Sequence, residues 1–135
     1  MKKAVILYIS VLLLAGCHQR RAVVITSGSA WLVMEEDTFD FKEISDKTPP
    51  VSHTFRFTNA GSEPLVINKV STNCACTTVG YTKQPVPSGD DGEITLTLDP
   101  SGTTYGHVVR SVDVYSNSKG SPTKIVLQAN VVEDN

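Results

Sequence analysis

The chain has little of several things that would each point to a class. Its 135 residues include three cysteines, one tryptophan and two methionines, and aromatic side chains make up 7%. Three cysteines are too few for a miniprotein framed by several disulfides. Neither sign of charge dominates, since twelve basic residues stand against fourteen acidic ones. That balance lacks the clustered basic excess of a nucleic-acid footprint, so no nucleic-acid partner is expected. The apolar-to-neutral run from Ala4 to Ala15 is shorter than the roughly 20 residues a membrane-spanning helix requires. No Gly-x-Ser-x-Gly elbow, phosphate-binding loop or His-Glu-x-x-His helix occurs, so hydrolase and nucleotide chemistry have no motif to stand on. Apolar residues at 40% and charged residues at 19% are enough for a folded core and argue against general disorder.

The amino terminus carries a signal. Met1-Lys2-Lys3 precedes the short apolar run and Leu14-Ala15-Gly16-Cys17 closes it, the layout of a secretory leader. The closing tetrapeptide resembles the bacterial lipobox, in which the cysteine becomes the first mature residue and its thiol takes diacylglycerol. Residues 1–16 are therefore expected to be a lipoprotein signal peptide. Cys17 is expected to be the lipidation site, its acyl chains the only prosthetic addition and the membrane its first partner. The mature chain would keep ten basic and fourteen acidic residues. After Cys17 no acidic residue appears before Glu35, which favours an outer-membrane anchor facing the periplasm over surface export. Residues 17–30, with Ser27-Gly28-Ser29, read as the lipidated terminus and its tether.

From residue 31 to 135 the alternation is that of strands, broken by Gly, Pro, Asn and Asp. Trp31 to Glu35 and Phe39-Asp40-Phe41 open the series. Val51, His53, Phe55 and Phe57 then alternate with polar residues, which predicts buried Phe55 and Phe57 and an outward Arg56. Leu65 to Ser71 is the next strand, with a slip of parity between Ile67 and Val70 that predicts a bulge. Pro85 to Gly92 reads as a loop. Ile94, Leu96 and Leu98 share one face; so do Val108, Val112 and Val114, and finally Ile125, Leu127, Ala129 and Val131. About seven short strands separated by turns predict an all-β, Ig-like sandwich without the Ig inter-sheet disulfide.

Several pieces in order carry a resemblance: Phe39-Asp40-Phe41, His53 to Gly61, Pro64-Leu65-Val66-Ile67, Cys74-Ala75-Cys76-Thr77-Thr78, Pro87-Ser88-Gly89, Gly92-Glu93-Ile94 and Val114-Tyr115-Ser116-Asn117. They resemble the domain of unknown function 1573 family of secreted bacterial proteins, with the Cys-x-Cys-Thr element the most specific. The resemblance spans about Glu35 to Val132 and implies a Hydin-like, Ig-type fold and an envelope location, without implying a mechanism. Lys42 stands where the family commonly has glycine, which points to a changed early turn. Asn73 and Ala75 replace the usual Ser and Gly beside the thiols.

Cys74 and Cys76 are the candidate site. With Cys17 lipidated they form an even pair in an oxidising compartment. On an extended strand their Cα atoms would lie about 6.6 Å apart, so a mutual bond needs a bend. A structural pair, a redox pair and a soft-metal site, Cu(I) above all, remain open. No basic residue lies close to them in sequence to lower a thiol pKa. Zinc would need further ligands, such as His53 or His107, that no spacing supplies, so no metal site is assigned. His53 reads as a core or edge histidine and His107 as exposed. Asp90-Asp91 reads as turn chemistry and Trp31 as a core plug. The expected function is a non-enzymatic binding or scaffolding module with an envelope-protein partner. The alternative is redox or copper handling through the cysteine pair.

Overall fold

A computed structural model describes residues 28–134. Eight strands follow one another: β1 (Leu32–Met34), β2 (Thr38–Ser45), β3 (Val51–Asn59), β4 (Ile67–Thr72), β5 (Thr77–Tyr81), β6 (Asp91–Leu98), β7 (Gly106–Ser116) and β8 (Thr123–Val132). They form two four-stranded sheets, ordered β1-β3-β6-β5 and β2-β8-β7-β4. All pairings are antiparallel except β2 with β8. The architecture is the predicted all-β sandwich, with one strand more than the alternation revealed.

The core follows from strand parity. Phe55 and Phe57 of β3, Ile94, Leu96 and Leu98 of β6, Val112 and Val114 of β7, and Ile125, Leu127 and Ala129 of β8 are all buried between the sheets. Arg56 points outward to Glu93, its cross-strand partner, 3.2 Å away. Phe57 lies opposite Gly92, where an added Cβ would fall 2.2 Å from the ring. The glycine is thus the space that the aromatic ring fills.

A buried amide closes one end of the sandwich. Asn59 donates to the carbonyls of Glu63 (2.8 Å) and Val86 (2.9 Å) and accepts from the Trp31 (3.3 Å) and Gly61 (3.0 Å) N–H groups. Both polar ends of the side chain are satisfied, as a fully buried amide requires.

Three local expectations change and one holds. Trp31 is 55% exposed and is not a core plug, because Leu32 takes the inward position and Trp31 and Val33 face out. The strand foreseen from Leu65 begins at Ile67, and Leu65 instead bridges Val86, so part of the proline-rich loop is buried and paired. The expected bulge lies between Ile67 and Lys69. Lys42 does not impose the changed turn that its place in the family pattern suggests. It adopts φ of +63°, the left-handed conformation that glycine enters freely, at the β2 bulge between Asp40 and Glu43. Asp40 secures it by accepting from the Lys42 N–H (2.8 Å) and Nζ (3.0 Å), contacts that hold the Asp40 carboxyl below its usual range.

Candidate functional site at the open side of the sandwich

Strands β4 and β5 are edge strands of opposite sheets, and the chain passes from one to the other through Asn73-Cys74-Ala75-Cys76. Cys74 and Cys76 are joined there in a disulfide with Cα atoms 5.2 Å apart. The bend that an i, i+2 bond requires comes from the turn. Thr77 donates its N–H to the Cys74 carbonyl (3.2 Å), and Cys74 donates to Thr72 Oγ1 (3.3 Å). Cys76 is further held by Asp99, whose N–H donates to its carbonyl at 2.9 Å.

Each sulfur has a donor. The Cys76 N–H points to Cys74 Sγ at 3.2 Å. Arg110 Nε donates to Cys76 Sγ at 3.3 Å, and Thr77 Oγ1 lies 3.8 Å from the same sulfur. The absence of a basic residue nearby in sequence therefore does not hold in space, because β7 brings Arg110 across the sandwich. A signal for it existed. Arg110 has the parity of the buried Val108, Val112 and Val114, so a cation sits on the apolar face of its strand. Such a charge needs a partner. Among the described residues no carboxylate lies within ion-pair distance of it, and its Nη1 goes to the Val109 carbonyl at 3.1 Å.

The bond is a poor staple. Chain-entropy arithmetic gives a three-residue loop about 1.6 kcal/mol, against about 3 kcal/mol for a 15-residue loop. In this form the sulfurs bond to each other, so neither is the thiolate that ligates a soft metal. Among the described residues no group of three or more His, Cys, Asp or Glu side chains converges on a point.

The other expected site residues are dispersed. His53 Nε2 lies 2.6 Å from Glu36 Oε1 and its ring stacks on Phe39 at 3.6 Å, an edge histidine in a packed cluster. His107 is exposed. Asp91 accepts from Thr58 Oγ1 at 2.6 Å and Asp90 accepts the Asn59 N–H on its carbonyl, so both serve the turn. Cys17 lies outside the described residues.

The β5 edge is open in backbone terms. Thr82 donates its N–H to the Glu93 carbonyl (3.0 Å), so by two-residue alternation Gly80 and Thr78 bond β6 while Val79 and Tyr81 turn their N–H and C=O groups outward. Half-buried Val70, Val79 and Tyr81 lie along this side against the core. On the opposite edge of the same sheet, Ser118 Oγ accepts the outward Leu32 N–H at 2.8 Å.

Residues 32–131 match a family model described as protein of unknown function, DUF1573. The chain belongs to the DUF1573 family. No curated protein matches this DUF1573 chain in sequence. Among solved structures it is similar to a protein of unknown function from Porphyromonas gingivalis W83, with a TM-score of 0.68 and 13% identity over 76% of this chain. This chain spans about half, 47%, of that one. It is also similar to an ASH/PapD-like domain of human CEP192, with a TM-score of 0.62 and 12% identity over 79% of this chain and 89% of that one. A third likeness is the YadV chaperone, with a TM-score of 0.55 and 16% identity over 74% of this chain and 51% of that one. At these identities the likeness shows the fold: this DUF1573 domain is an Ig-like, PapD-like sandwich.

Proposed function

We propose that this DUF1573 protein is a lipid-anchored envelope module, facing the periplasm, that binds an extended segment of a partner protein by taking it as a strand on β5. It works by binding, without enzymatic turnover and without a cofactor beyond the lipid on Cys17. The observation that carries the reading is the contrast between the two edges of one sheet. β1 is three residues long and its outward N–H at Leu32 is taken by Ser118, whereas β5 is unbulged and turns the Val79 and Tyr81 backbone groups outward. Natural sheets blunt such edges, so an open one beside half-buried apolar side chains is a docking surface for strand addition. The lipobox tetrapeptide supports the anchor, which would hold this edge near the membrane and its envelope partners.

The test is a photo-crosslinking amino acid at exposed Thr78, read in intact envelopes against the same probe at exposed Arg56 on β3, an inner strand of the same sheet. Capture from 78 and not from 56 is expected. Val79→Pro removes one outward N–H without breaking a ladder bond, so it should abolish capture while stability changes by less than about 1 kcal/mol. Equal capture from both positions, or capture indifferent to the proline, would refute strand addition.

A further inference from the structure

We propose that the Cys74–Cys76 disulfide is a thiol–disulfide exchange site, in which Arg110 receives the Cys76 sulfur as the leaving thiolate when an incoming thiolate attacks Cys74. Three observations converge on it. The bond spans two positions in a turn whose flanking strands are already held in their own sheets, so it joins nothing that the ladders leave apart. Both cysteines are half-buried residues at the open side of the sandwich, with Cys76 packed against the core. The donors are distributed unequally: Cys76 Sγ has a guanidinium Nε at 3.3 Å and a hydroxyl at 3.8 Å, whereas Cys74 Sγ has one backbone N–H.

That asymmetry sets the direction of attack. Exchange is faster when the departing sulfur is the better-stabilised thiolate. A cation and hydrogen-bond donors lower a thiol pKa, and Arg110 supplies both to Cys76. The charged groups around the sulfur do not cancel this. Asp99, on the adjoining turn, directs its carboxylate to the Ser101 N–H (3.0 Å) and Oγ (2.7 Å), and the Arg110 guanidinium has no carboxylate of its own among the described residues.

The step balances with a thiol as co-reactant. A thiolate RS⁻ bonds to Cys74 Sγ as the Cys74–Cys76 bond breaks, and the electron pair goes to Cys76 Sγ beside Arg110. A second thiolate attacks the R-bearing sulfur of the mixed disulfide, forming RSSR and releasing Cys74 as a thiolate. Two thiols are oxidised to one disulfide and the protein pair is reduced by two electrons. The protons given up by the two thiols remain with solvent or with Cys74 and Cys76. The thiol belongs either to a small molecule or to a cysteine of another protein.

The experiment uses the full chain in detergent, with glutathione in one arm and a cysteine-containing extended peptide in the other. Equilibrated with the co-reactant as a buffer of its thiol and disulfide forms, Cys76→Ala should hold it as a mixed disulfide on Cys74, and Cys74→Ala should hold at least about tenfold less on Cys76, whose stabilised thiolate is the better leaving group. After reduction, Cys76 should be alkylated with a pH midpoint below the ordinary thiol value of about 8.5. Arg110→Gln should raise that midpoint and slow reduction of the disulfide by about tenfold, with Arg110→Lys recovering part of the rate. Trapping by glutathione alone assigns a small-thiol co-reactant, and faster trapping by the peptide assigns a protein one. A disulfide that neither reagent opens overturns the proposal. So does equal trapping at the two cysteines, or an Arg110→Gln protein that keeps its strand circular dichroism and exchanges at the wild-type rate.

Discussion

Two neighbouring residues of β3 show how much a single parity decides. Phe55 and Phe57 are fully buried, while Arg56 between them meets Glu93 on the exposed face. Truncation of Phe57 to alanine empties the space against Gly92 and should cost about 3–5 kcal/mol. Arg56→Ala should cost no more than about 0.5 kcal/mol, since an exposed ion pair contributes little. Denaturant midpoints for the two variants decide it, and comparable losses would contradict the register. Lys42 makes the opposite case, a residue in a conformation it does not favour. Its φ of +63° costs a non-glycine residue about 1 kcal/mol, and its contact with Asp40 is exposed. Lys42→Gly should therefore raise stability by up to about 1 kcal/mol. A lower denaturation midpoint would show that the Asp40 contact outweighs the backbone term.

The elements that the sequence announced are those whose two faces differ. β3, β6, β7 and β8 alternate buried apolar residues with polar ones, and a period of two is readable wherever one face meets the core and the other meets water. Around β1, Trp31, Leu32, Val33 and Met34 are all apolar, so composition does not fix which pair turns inward. β5 escaped notice because only Val79 and Tyr81 carry apolar signal, and Gly80 with the Cys-x-Cys turn reads as loop. The cysteine pair was visible as a motif, yet its partner Arg110 is 34 residues away, and only the gap it makes in the valine series of β7 betrayed it. The carboxyl end of β8 has its own fastening. Asp46 accepts from the Asp134 N–H (3.1 Å) and from Tyr105 Oη (2.9 Å), and these bonds, the backbone one foremost, hold its carboxyl below the ordinary 3.8. The same contact pushes the Tyr105 hydroxyl up. A lowered folded pKa means that the fastening is complete above 3.8 and is lost as pH falls through the depressed value. NMR titration should show the Asp134 amide and the Tyr105 ring shifting together at that lower pH. Independent shifts, or a midpoint at 3.8 or above, would exclude the linkage.

At the scale of the whole molecule, the proposed reading gives the sandwich and the amino terminus separate tasks. Residues 28–134 hold a domain whose core begins at Ala30, which is buried and bridged to Ser118. In the proposed reading, attachment to the membrane rests on the lipid at Cys17. A single acyl chain binds a bilayer only marginally and reversibly, whereas two or more hold stably, so a diacylglyceryl thioether suffices without a spanning helix. Cys17→Ser removes the sulfur that would carry the lipid. It should abolish incorporation of labelled fatty acid and leave the leader uncleaved at Gly16. The sandwich itself should fold unchanged, with the same denaturant midpoint within about 0.5 kcal/mol. The variant also separates anchoring from docking. If β5 binds its partner through backbone groups, Cys17→Ser protein solubilised in detergent should still capture that partner from the probe at position 78. Equal fatty-acid label in wild type and variant would remove the anchor from the proposal and leave the β5 edge to stand by itself.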